Sequence, residues 1–89
     1  MFTTFTDWEF DDISTVEATG SNMWPKMQAV GALSFKAVQT GENTARTMIQ
    51  WPDAATAQAA VDDLRAAAME MTDTRVVATA GGETKLDFK

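Results

Sequence analysis

Residues 46–60 read RTMIQWPDAATAQAA, and the reading of the fold turns on them. Up to Trp51 the side chains alternate, with Thr47, Ile49 and Trp51 set against Arg46, Met48 and Gln50, which is the period of a strand. At Pro52 the alternation stops. Asp53 is a good helix N-cap, and Ala57, Ala60, Val61, Leu64, Ala68 and Met71 then follow a helical stripe, with Gln58, Asp62 and Arg65 elsewhere on the cylinder. The alanines suit a helix that lies close on a sheet. A strand that passes directly into such a helix must have the helix fold back over it, so Trp51 is expected to be buried against the helix's early turns.

Working backwards, residues 32–39 (ALSFKAVQ) alternate as well, and residues 40–43 (TGEN) are turn chemistry too short for a crossover. The two strands therefore read as an antiparallel hairpin. Gly31 is placed to end a preceding helix. That helix is expected from about residue 11 to 30, started by Asp11 or Asp12. Gly20 weakens it, and Ser21, Asn22 and Pro25 offer a second start, so it reads as two-part. At the N-terminus, Phe2, Thr4, Thr6, Trp8 and Phe10 share one strand face, with Thr3, Phe5, Asp7 and Glu9 on the other. Working forwards, residues 71–74 (MTDT) end the second helix, residues 75–80 (RVVATA) form a last strand, and residues 81–89 are a turn and a short extended tail.

The order is strand, helix, strand, strand, helix, strand. This is a ferredoxin-like α+β sandwich: a four-stranded antiparallel sheet with both helices on one face, forming a single domain over residues 1–89. Two helices cover one sheet face only. Phe5, Val38, Met48 and either Val76 or Val77 are then apolar groups on faces the helices need not cover, and a face left wet should be more polar than this. A homodimer built on that face is the expected outcome.

Composition restricts the chemistry. The 89 residues hold no cysteine, histidine or tyrosine. Ser-His-Asp and Cys-His nucleophilic sites, common zinc sites and haem with a histidine or cysteine ligand are therefore excluded. No phosphate-binding loop or dinucleotide fingerprint occurs, and the adjacent acids Asp11-Asp12 and Asp62-Asp63 lack calcium-loop spacing. No cofactor or metal is expected. Thirteen acidic residues against seven basic ones give a net charge of −6, which disfavours nucleic acid as a partner. Neither a secretory leader nor an apolar run long enough for a membrane span is read, which leaves the cytoplasm as the default compartment. What remains is an inventory of aromatics, amides and cations. Met23, Met27, Met48, Met69 and Met71 read mostly as core, or as a soft pocket wall where they cluster.

The order of elements and two short stretches resemble the dimeric α/β-barrel superfamily, which includes the antibiotic-biosynthesis monooxygenase-like proteins. Gly31-Ala32-Leu33-Ser34-Phe35 is similar to the family's glycine opening its second strand. Ile49-Gln50-Trp51-Pro52-Asp53, with Ala54 to Ala60, is similar to its strand-to-helix junction. The resemblance implies a homodimer whose sheets pack face to face, with a pocket between helices and sheet in each subunit. Some members oxidise polycyclic aromatic molecules without metal or flavin, using tryptophan, asparagine, arginine and tyrosine. By that analogy Asn22 and Trp24 would hold a small aromatic or quinol-like substrate and Arg46 would stabilise its anion; the tyrosine has no counterpart. Trp24, Trp51, Met27 and Phe35 are the expected ligand-binding residues. The competing expectation is a non-catalytic dimeric module that binds a small apolar ligand or a protein partner.

Overall fold

The computed structural model describes residues 1–88. Its elements are β1 (Phe2–Glu9), α1 (Ile13–Ala29), β2 (Ser34–Gly41), β3 (Thr44–Trp51), α2 (Ala54–Met71) and β4 (Arg75–Glu83). They form one four-stranded sheet in the order β2-β3-β1-β4, with every neighbouring pair antiparallel. This is the ferredoxin-like βαββαβ arrangement. Among the described residues no helix is long and apolar enough to cross a membrane.

The strand faces follow the period-2 reading. Thr4, Thr6 and Trp8 of β1 are buried on one face, opposite Ile49 and Ala45 of β3. The other face carries Phe5 paired with Met48 and Asp7 paired with Arg46. Trp51 lies fully buried among Met23, Met27, Ile49, Ala57 and Ala60. Alanine at positions 57 and 60 lets α2 sit close enough to cover the indole.

Both helices start on an aspartate. The Asp12 carboxylate accepts from the Ser14 amide and hydroxyl at 2.9 and 2.8 Å; the Asp53 carboxylate accepts from the Thr56 amide and hydroxyl at 2.7 and 2.8 Å. Each satisfies donors that the first turn leaves unpaired. These bonds hold both carboxyls below the usual carboxylate range, the Ser14 hydroxyl contributing most at Asp12 and the Thr56 amide at Asp53.

Several expectations give way to tertiary structure. Helix α1 is continuous over 17 residues instead of two-part. Gly20 faces the Phe35 ring, where a Cβ would sit 3.4 Å from the ring carbon Cε2, so the glycine is a point of close approach to β2 and not a break. Pro25 removes one backbone bond, to the carbonyl of Ser21, on the exposed side of the helix. The β2–β3 turn is the two residues Glu42 and Asn43, tighter than residues 40–43, with a register irregularity between Gln39 and Gly41. Strand β4 runs on through Gly81 and Gly82, which pair with Thr4 and Thr3; a Cβ at Gly81 would meet the Phe2 ring at 3.1 Å. A bulge in β4 opposite Asp7 and Trp8 leaves Val76 beside Trp8 and Val77 58% exposed. Met69 and Met71 are exposed, so α2's apolar stripe ends before its last turn.

Candidate functional site

Beside the Trp51 cluster the space between helices and sheet is incompletely filled. A half-open cleft of about 70 Å³ lies there. The sheet supplies Trp8, Phe35, Ala37 and Thr47, α1 supplies Val16, Thr19, Gly20, Met23 and Met27, and α2 supplies Val61, Leu64, Arg65 and Ala68, with Thr74 closing one end. The α1 residues 19, 23 and 27 recur every four positions, so one buried stripe of that helix forms a whole wall. Two methionines in that wall can change rotamer to fit an occupant.

The polar groups of the cleft are few. Trp8 Nε1 donates to Thr47 Oγ1 at 2.9 Å, diagonally across the β1–β3 pair. Arg65 reaches over the inner face of β1, its Nε donating to Thr6 Oγ1 at 2.8 Å and its Nη2 to the Phe5 carbonyl at 3.2 Å. The Arg65 side chain is only 14% exposed. The sequence pattern put this arginine off the apolar stripe of α2. Its position four after Val61 and three before Ala68 places it at the border of the apolar stripe, and its long stem lets the guanidinium reach the sheet.

Of the residues expected to bind ligand, Met27 and Phe35 line the cleft. Trp24 stacks on Phe35, ring centroids 6.5 Å apart at 26°, and lines a shallow neighbouring groove with Gly20 and Ser21. Trp51 is sealed in the core, its Nε1 donating to Thr4 Oγ1 at 3.0 Å, and does not border the cleft. Asn22 is exposed on α1, away from the cleft walls. Arg46 lies on the opposite face of the sheet, where its Nε and Nη2 hold Asp7 at 2.7 and 3.2 Å and its guanidinium stands 5.9 Å from the Phe5 ring centre. The bond from Arg46 holds the Asp7 carboxyl below its usual range. Asn22, Trp24 and Arg46 therefore do not converge within one chain. The residues that do converge, Trp8 and Arg65, carry no motif that marks them; only the spacing of Arg65 along α2 was available as a signal.

No group of three or more acidic residues is arranged to hold a metal ion among the described residues. No family model matches the chain, and no curated protein matches it. Solved structures match it over essentially their whole length. A dimeric ferredoxin-like protein from an uncultured marine organism is 9% identical with a TM-score of 0.67, covering 100% of this chain and 99% of that one. A protein of unknown function from Nitrosomonas europaea is 17% identical with a TM-score of 0.68, covering 99% and 95%. An antibiotic biosynthesis monooxygenase-like protein from Deinococcus radiodurans is 8% identical with a TM-score of 0.68, covering 100% and 97%. At these identities the likeness is one of fold. The chain has the ferredoxin-like fold of these three proteins.

Proposed function

We propose that the protein is a homodimeric binding module for a small apolar molecule, held in the cleft between α1, α2 and the sheet. The observation that carries the reading is the wall itself: Trp8, Met23, Met27, Phe35 and Leu64 converge on one half-open space. A concave apolar site with few polar groups is the usual form of a small-molecule site. Histidine, cysteine and tyrosine are absent from the chain, which leaves the cleft poor in acid–base groups and favours binding over turnover.

Self-association is supported by the other sheet face. Ala80, Phe5 and Met48 form an apolar row across β4, β1 and β3, and Val38 stands 48% exposed on the edge strand β2. The marine ferredoxin-like protein is described as dimeric.

Thermal denaturation with a panel of single-ring aromatics, hydroquinones and anthrones, run in parallel with oxygen uptake, tests the binding reading. Stabilisation without oxygen consumption is the expected result. Oxygen uptake above a protein-free control would move the assignment to an oxidase or oxygenase. Failure of every compound to raise Tm would sink ligand binding in this cleft.

A further inference from the structure

The walls of the cleft carry a charge asymmetry. The chain has 13 acidic residues and a net charge of −6, yet no aspartate or glutamate lines the cleft, whose one charged wall residue is Arg65. Its guanidinium has five N–H groups: Nε donates to Thr6 Oγ1 and Nη2 to the Phe5 carbonyl, both uncharged acceptors, and Nη1 donates to Asp62 Oδ1. The nearest anion, Asp62 Oδ1, lies 3.4 Å from Nη1 on a side chain that is 88% exposed, so water screens that pair. A largely buried cation whose one counter-charge is exposed to water is costly, and an anion entering the cleft would supply a partner better shielded than Asp62. The hydroxyls of Thr19, Thr47 and Thr74 are further hydrogen-bonding groups on these walls.

Size narrows the occupant. A closed dry cavity of about 150 Å³ takes one benzene ring, whereas this space measures about 70 Å³ and is open on one side. A molecule with one flat ring would fit by leaving part of itself at the mouth and shifting Met23 or Met27. Resting on the binding reading above, we infer that the cleft takes a single-ring aromatic molecule with a carboxylate or phenolate end, and that Arg65 reads the anion.

The test compares benzoate with benzamide, which share shape and differ in charge, at 0.1 M salt, read from the indole N–H signals in ¹⁵N spectra. The global negative charge works against benzoate, so a preference for it must be local. Benzoate is expected to bind about tenfold or more tightly than benzamide while moving the Trp8 indole signal, as a charge-assisted bond to a guanidinium would give. In Arg65→Met the preference for benzoate over benzamide should vanish, whatever the change in their common affinity. The wild-type pair alone decides the matter where Arg65→Met fails to fold. Equal affinities would overturn the anionic end and leave the binding reading standing. Silence of the Trp8 indole with both probes would overturn both.

Discussion

Trp51 and Thr4 join β3 to β1 inside the core: the indole Nε1 donates to the threonine hydroxyl at 3.0 Å, and both side chains are buried. The bond is diagonal, since Trp51 stands opposite Phe2 in the register. Trp8 and Thr47 repeat it in the reverse direction, from β1 to β3. Each tryptophan thus buries a large apolar body and still satisfies its one donor, the condition for a buried indole. The two differ in what lies over them: Trp51 is covered completely, whereas Trp8 borders the cleft.

Truncating Trp51 to alanine is therefore expected to cost about 3–5 kcal/mol, a large share of a small domain's stability. Phenylalanine keeps most of the apolar volume but leaves the Thr4 hydroxyl without its indole partner, and should cost clearly less. Equilibrium urea unfolding of the two variants measures the difference. An alanine variant as stable as the parent contradicts the buried role.

Gly31 makes a second, sharper prediction. Its φ of +105° lies where L side chains are strained, and a Cβ there would sit 2.7 Å from Thr56 Cγ2. Gly31→Ala should lower Tm by several degrees. Thr56→Ser removes the clashing methyl and keeps the hydroxyl that bonds Asp53, so in the double variant only the backbone strain should remain. Strict additivity of the two changes would mean that the contact with Thr56 is unimportant.

Much of this was legible in the sequence, and the misses have physical causes. Alternation in residues 2–10 and 44–51 assigned the strand faces because a strand with one buried face leaves a period-2 record. The Pro52-Asp53 step was legible because capping is local chemistry. At Gly20 and Gly81 local propensity pointed the wrong way: Gly81 leaves room for the Phe2 ring that a Cβ would crowd, Gly20 packs in van der Waals range of the Phe35 ring within a continuous helix, and no local rule sees a ring from another strand. Met27 and Phe35 were legible in the cleft as apolar residues of the covered face. Arg65 was not, because its charge marks it as surface while its length carries it to Thr6.

Acid should loosen the helix starts. The Asp12 and Asp53 carboxyls are depressed in the folded chain by their bonds to Ser14 and Thr56, and Asp7 by Arg46. A depressed carboxyl contributes stability above its unfolded value, about 4, and loses that contribution as pH falls through the lower folded value. Tm should thus fall as pH drops below about 4, and Asp53→Asn, which keeps a capping oxygen without the charge, should flatten part of that slope. An unchanged slope in this variant would remove Asp53 from the account.

Assembly is open to a direct mutational test. Met48 stands opposite Phe5 at the centre of the uncovered sheet face. Met48→Asp would place an unpaired charge in a dimer interface there and should convert a dimer of the 9.7 kDa chain to monomers in sedimentation velocity at micromolar concentration. A wild-type protein that sediments as a monomer under the same conditions would rule out this interface.

The six methionines provide the most direct test of the cleft as a binding site. Met23 and Met27 form its wall, whereas Met1, Met48, Met69 and Met71 lie elsewhere on the chain and serve as internal controls. Methyl-labelled methionine spectra recorded during a benzoate titration should show the signals of Met23 and Met27 moving to saturation together, with Met69 and Met71 stationary. Movement confined to the exposed methionines, or no saturable movement at Met23 and Met27, would contradict the cleft as the site.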